Sequence, residues 1–200
     1  MKLLDKVKEF LQPVEIQEKE KVFKPKVKIW RPKPIDNERF FSGTELIVSK
    51  TDTRGNITYG NEIFAKMAGY TEEEYLGQPH NIIRHPDMPK AVFKLLWDTL
   101  ATGREINAYV KNLARDGSYY WVFANVTPSF DRNHNIIGYH STRRSPNRKA
   151  LEIITGLYKK MKAAESIGGV HESTAVLVSV LNAHKLSYEE LIYRLQYNTL

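Results

Sequence analysis

Three alternating segments in the middle of the chain leave little freedom in the fold. "INAYVKNLA" (106–114), "YYWVFANVTPSF" (119–130) and "IIGYHSTRR" (136–144) are rich in β-branched and aromatic residues, with only "RDGS" and "DRNHN" between them. Parallel neighbours need a crossover of a dozen or more residues, so segments this close can pair only as an antiparallel meander. Asp116-Gly117 predicts a two-residue hairpin turn. Upstream, "TELIVSKT" (44–51) and "ITYGN" (57–61) read as two further strands joined at the turn "DTRGN".

The residues between these strands read as helices. "NEIFAKMAGY" (61–70) sets Ile63, Phe64 and Met67 on one face and ends at Gly69. "TEEEYLG" (71–77) opens with a capping box, Thr71 with Glu74. "DMPKAVFKLLWDTLATG" (87–103) is the longest helix of this segment, with Asp87 as its expected cap, Pro89 in its first turn and an inner stripe of Met88, Val92, Leu95, Leu96 and Thr99. Strands, short helices, one longer helix and a meander make an α+β arrangement, an antiparallel sheet with helices gathered on one face.

Flanking segments divide the 200 residues into three parts: an extension (1–40), the dense segment (41–145) and a helical tail (146–200). The extension starts with a helix-like "KLLDKVKEFL", stopped by Pro13, and continues as the basic, proline-containing arm "EKEKVFKPKVKIWRPKP" (18–34). In the tail, Leu151, Ile154, Leu157, Tyr158 and Met161 recur at helical spacing, "SIGG" (166–169) is a joint, and two more helices follow, the last with a Ser187/Glu190 capping box.

Composition removes several functions. There is no cysteine, hence no disulfide, thiolate nucleophile, cysteine-zinc site or covalent c-type haem link. The net charge of +7 permits an anionic partner, but the arm interleaves acids with bases, and a solvated, extended segment accounts for it; no nucleic-acid partner is expected. No apolar stretch is long enough to cross a bilayer and the start lacks a secretory core, so the expected location is cytoplasmic, with membrane association through a partner. No phosphate-binding glycine loop is present, and a non-enzyme is expected.

Binding chemistry is densest at "GQPHNIIRHPDMPK" (77–90). Arg84 offers a planar fork of donors, and if "NIIRH" is one helical turn, Asn81 and His85 share a face. Asn112 and Asn125, on adjacent strands, can donate to a carbonyl and accept from an N–H, with Ile82, Ile83, Val92, Leu96 and Val110 as apolar walls. A purely local reading stands beside this one: Pro86 ends one helix, Asp87 caps the next and pairs with Arg84, His85 links the two, and Asn61 caps its own helix.

"GYTEEEYLGQPHNIIRHPDMPK" (69–90), "VKN" (110–112), "RDGSYYWVFANVTP" (115–128) and "GYHSTR" (138–143) together resemble PAS sensor domains of the bacterial aerotaxis-transducer and energy-taxis type. "LYKKMKAAE" (157–165) is similar to the helix that follows the domain in those proteins, while residues 1–40 and 170–200 have no counterpart. The resemblance implies a five-stranded antiparallel sheet cupping FAD, bound non-covalently, under short helices. It implies cofactor-binding roles for Asn61, Arg84, His85, Asp87, Asn112 and Asn125. Ile106 departs from the pattern, which has a tryptophan there, and His140 replaces a methionine.

Haem, with His80, His85 or His140 as axial ligand, and a cofactor-free adaptor are the alternatives. A light-driven flavin adduct needs a cysteine, which this chain lacks. The implied output is contact with a separate membrane-bound transducer of the methyl-accepting chemotaxis type, with the helical flanks as docking surface or as a homodimer interface.

Overall fold

The computed structural model describes residues 28–198, so the helix expected over residues 2–11 lies outside the described residues. Five strands, β1 (Ile47–Thr51), β2 (Ile57–Gly60), β3 (Ile106–Leu113), β4 (Tyr119–Phe130) and β5 (Ile136–Arg144), form one antiparallel sheet in the order β2-β1-β5-β4-β3. Helices α1 (Glu62–Ala68), α2 (Glu72–Tyr75) and α3 (Lys90–Ala101), with a 3-10 turn at His80–Ile83, lie between β2 and β3. The tail forms α4 (Arg148–His184), broken at Gly168 and Gly169, and α5 (Tyr188–Tyr197).

Two of the hairpins share one turn design. Asp52 and Asp131 each accept two backbone N–H bonds on Oδ1, from Arg54 and Asn56 and from Asn133 and Asn135. The third loop residue of each, Gly55 or His134, sits in the left-handed region (φ +80° and +61°). The β3–β4 hairpin departs from the expected two-residue turn. Ala114 pairs with Ser118, leaving Arg115, Asp116 and Gly117 as a three-residue loop with Gly117 at φ +90°. Asp116 Oδ1 accepts from Ser118 N and Oγ, and these bonds with Arg39 hold its carboxyl at about 2.

Strand periodicity sends Ile47, Ser49, Thr51, Val110, Asn112, Val122, Ala124, Tyr139, Ser141 and Arg143 to the inner face, under α1, α3 and the 3-10 turn. Phe64 of α1 meets Tyr75 edge-on (5.1 Å), and Tyr75 Oη donates to the Gly60 carbonyl. A side chain at Gly60 would lie 2.5 Å from Phe64, so the close approach requires glycine.

The outer face is also buried. Tyr109, Trp121 and Phe123 lie there, with Trp121 against Tyr158 of α4 (6.2 Å) and Tyr109 Oη bonded to Gln196 of α5 (2.9 Å). Ala150, Leu151, Ile154, Tyr158, Met161, Leu191 and Leu195 of the tail belong to the same apolar core as the sheet. Each large side chain buried this way contributes roughly 1.5–3 kcal/mol.

β3 is an edge strand, and three of its outward backbone groups find partners nearby. The Lys111 carbonyl accepts from His85 N, Lys111 N donates to Met88 Sδ, and the Tyr109 carbonyl accepts from Tyr158 Oη (2.8 Å). The segment before β1 runs beside the β3–β4 hairpin, with Ile35 N bonded to the Gly117 carbonyl and Arg39 N to that of Tyr119. No helix of the described residues is long and apolar enough to cross a membrane.

Candidate functional site

The inner face of the sheet and the helices above it enclose a cavity of about 330 Å³. β1, β3, β4 and β5 make the floor through Ser49, Thr51, Val110, Asn112, Ala124, Val126, Tyr139, Ser141 and Arg143. Pro79 to Arg84 and α3 make the roof. His80 N donates to the Gly55 carbonyl, so the roof turn is pinned to the β1–β2 loop. From the preceding segment, Arg31 donates to the carbonyls of Asn81 and Arg84 at the far end of the same turn. At the mouth, Trp97 stands edge-on to Tyr139 (5.2 Å) and packs on Gly55.

The polar content of the cavity is unusual for a packed core. Thr51 Oγ1, Asn112 Nδ2, Ser141 Oγ and Arg143 Nη1 are buried without a hydrogen-bond partner among the described residues. Buried polar groups are nearly always satisfied; four of the unpartnered ones line one wall of this cavity, while Tyr70 Oη, Tyr120 Oη, Ser173 Oγ and Tyr188 Oη are unpartnered away from it. Arg143 Nη2 donates to Ser49 Oγ (2.9 Å) and to His80 Nε2 (2.7 Å). Burial, then the Arg143 charge, pushes the His80 imidazole down to about 3, so it is the neutral acceptor of that bond. Burial also lowers Arg143, to about 10, which leaves it a cation at neutral pH.

Of the six residues implied by the resemblance, two reach the cavity. Arg84 lines it, its guanidinium stacked over Phe93 (3.9 Å) and bonded to the Met88 carbonyl (3.2 Å), with its pKa lowered by burial. Asn112 lines it from β3, paired through the backbone with Arg84. The other four make local contacts away from the cavity lining. Asn61 caps α1, accepting from Phe64 N and Val48 N on Oδ1 and donating to the Leu46 carbonyl. Asn125 lies on the outer face, bonded to Glu105 and Asn107.

His85 is buried beside Tyr119, and its Nδ1 accepts from Asp87 N (3.1 Å). Burial and the Lys111 charge push it down to about 4, against the pull of Asp87. Asp87 was expected to cap α3; its carboxylate instead pairs with Lys111 Nζ (2.7 Å), and the orphan Lys90 N–H of α3 goes to Glu165 of α4. The "NIIRH" helical turn is likewise shorter than expected. It ends at Ile83 and Arg84 is extended; Asn81 lines the cavity and His85 does not.

Sequence reasoning missed Ser49, Thr51, Ser141 and Arg143 as cavity groups, and saw His80 only as a haem ligand. The two-residue period of "YHSTR" carried the signal, since it aligns Tyr139, Ser141 and Arg143 on one face. Of the expected walls, Ile83, Leu96 and Val110 line the cavity, while Ile82 and Val92 pack elsewhere in the core. Among the described residues, no group of three histidine, aspartate or glutamate side chains is placed to hold a metal ion.

Residues 57–143 match the PAS fold family. The aerotaxis receptor of Escherichia coli (strain K12) is 39% identical over 130 residues, which cover 65% of this chain and 26% of that protein. A nitrogen fixation regulatory protein of Klebsiella pneumoniae is 30% identical over 108 residues, covering 52% of this chain and 22% of that protein. The chain thus spans about a quarter of the length of these relatives. Among solved structures, the PAS domain of a Colwellia psychrerythraea protein superposes with a TM-score of 0.47 at 21% identity, covering 50% of this chain and 85% of that one. The family match over residues 57–143, the likeness to the aerotaxis receptor and the five-stranded antiparallel sheet, whose β1 lies just before the matched residues, agree: this chain carries the PAS fold.

Proposed function

We propose that this chain is a cytoplasmic redox and energy sensor that binds FAD non-covalently in the PAS cavity and signals to a separate membrane-bound chemotaxis transducer of the methyl-accepting type. One observation carries the reading: four buried polar groups without partners among the described residues converge on a cavity with apolar walls. The relation to the aerotaxis receptor gives that cavity a sensory context.

The residues present fit a flavin head group. A volume of about 330 Å³ lies at the lower end of ligand pockets, enough for a planar ring system whose chain leaves through the mouth. Ile83, Leu96, Val110 and Val126 supply apolar walls, and Asn112 Nδ2 and Arg143 Nη1 supply free donors for rim carbonyls and ring nitrogens. When bound, a flavin supplies reversible electron uptake. A haem is less well served, because among the described residues His80 is the only histidine lining the cavity and its Nε2 already accepts from Arg143.

The route outward runs along β3. Asn112 sits in the cavity, while the neighbouring Lys111 and Tyr109 carbonyls hold His85 and Tyr158. A rearrangement of hydrogen bonds at Asn112 therefore acts on the strand to which α4 is fastened. Deletion of the tail would strip the outer face of the sheet, so point substitutions are the cleaner test of docking. Ile167 and Tyr193 are exposed apolar residues of α4 and α5.

Purified full-length protein is expected to carry flavin absorbance, or to acquire it with added FAD, and Asn112→Leu is expected to lose it. Ile167→Asp and Tyr193→Asp are expected to keep the flavin and lose co-purification with the transducer. A colourless protein that takes up no FAD refutes the sensor reading, and undiminished association of both variants refutes the docking surface.

A further inference from the structure

We propose that Arg143 makes the PAS cavity anion-selective: its free guanidinium edge takes the negative charge of the entering ligand, so an acidic planar ligand binds in preference to a neutral one of the same shape. The inference rests on the reading above only in that the cavity takes up a ligand, and it adds the charge which that ligand brings.

Arg143 lies on β5, the central strand, where inner-face residues are ordinarily apolar. Its residue is 4% exposed. Cross-strand neighbours are Ile47 on β1 and Ala124 on β4, neither of which can bond it. Ser49 Oγ and His80 Nε2 both accept from Nη2, and both residues are neutral. Nη1 has no partner among the described residues.

Among the described residues, no aspartate or glutamate lines the cavity, and the other charged lining residues, Arg54 and Arg84, are cations too. The Phe64 ring, 5.8 Å from Arg143 Cζ, offers electron density but no charge. A buried cation is usually paired, because removing it from water is costly and only a close anion offsets that cost. Here none of the described residues lining the cavity is such an anion. A guanidinium held by hydrogen bonds at one nitrogen and unpartnered at another is a preformed charge-assisted donor. None of Ser49, His80 and the small Ala124 bonds Nη1, and Arg143 lines the cavity floor. Ser141 Oγ and Asn112 Nδ2, also unpartnered, add donors on the same floor.

The test uses two dyes with one aromatic skeleton, 1-anilinonaphthalene-8-sulfonate and its sulfonate-free counterpart N-phenyl-1-naphthylamine. Both are titrated by fluorescence into the ligand-free full chain. The ratio of their affinities is expected to fall about tenfold or more in Arg143→Gln, the scale of one charge-assisted hydrogen bond, and to fall partway in Arg143→Lys. Circular dichroism and melting of each variant establish that the fold is kept. If Arg143→Gln does not fold, the Arg143→Lys comparison decides alone.

An unchanged ratio in a folded variant overturns the inference, as does failure of the wild-type protein to bind the sulfonate dye. Failure of FAD uptake with a ratio that follows Arg143 sinks the flavin reading and leaves this one standing. FAD uptake with an unchanged ratio does the reverse.

Discussion

Acidification should unfold this protein through two histidines before its carboxylates matter. His80 accepts from Arg143 at 2.7 Å, so its proton would place an imidazolium against a guanidinium, with no carboxylate among the described lining residues to separate them. His85 accepts from the Asp87 backbone N–H and would have to give up that bond to carry a proton on Nδ1. Their folded pKa values are pushed down to about 3 and about 4, from 6.5, by burial first and then by Arg143 and Lys111 respectively. Between 6.5 and those values the unfolded chain holds more protons than the folded one, so unfolding free energy falls as pH falls through 6.5. At pH 5 each histidine costs at most about 2 kcal/mol relative to pH 8. His80 keeps some solvent exposure, which reduces its share, and a combined loss of about 2–4 kcal/mol follows. For a chain of this size that is a drop in Tm of roughly 5–15 °C. Carboxylates such as Asp116, held at about 2, keep their contribution at pH 5 and lose it only in stronger acid. Calorimetry at pH 8, 7, 6 and 5 on wild type, His80→Gln, His85→Gln and the double variant measures it. Glutamine at position 80 retains an acceptor for Arg143. Each single variant should remove part of the slope and the double variant most of it; an equal slope in wild type and double variant refutes the reasoning.

Other consequences can be checked by denaturation. Asn61→Ala removes an N-cap and two further bonds between α1 and the β1 segment, and should cost about 2–3 kcal/mol in urea without altering ligand affinity. Gly138→Ala would place a Cβ 2.4 Å from the Thr51 carbonyl, between β5 and β1, so a loss of about 2 kcal/mol or more and a lower Tm are expected. Tyr158→Phe deletes the hydroxyl that holds α4 to the Tyr109 carbonyl and should cost about 1–2 kcal/mol, with faster hydrogen exchange in α4 than in the sheet.

The order of strands and helices was legible because each element carried its own signal. Alternation marked the strands, Gly69 and Gly103 stopped helices, and the Thr71 and Ser187 boxes started them. The Glu74 carboxylate does accept from Thr71 N, and the Glu190 carboxylate from Ser187 N. The faces of the strands were not legible, and for a physical reason. A strand exposed on one side alternates apolar with polar, and the polar set names the solvent face. In β3 and β4 both sides are buried, one over the cavity and the other under α4 and α5, so that contrast is lost.

Register then had to come from the turn, and the turn was misread by one residue. With Asp116-Gly117 as a two-residue loop, Asn112 would stand opposite Trp121, and Asn125 would share its face. The three-residue loop places Asn112 opposite Tyr120, which sends Asn125 to the outer face. A slip of one residue exchanges every side chain between the two faces of a strand. The pairing of Asn112 with Asn125 as one binding group was thus a consequence of turn length, not of the residue types. The same rule explains what was overlooked. Ser141 and Arg143 share a face at a spacing of two, and only the β1–β5 and β4–β5 registers decide that this face looks inward. A polar residue on a strand buried on both sides cannot be assigned to a ligand or to a helix from its identity; the hairpin loop beside it makes that choice.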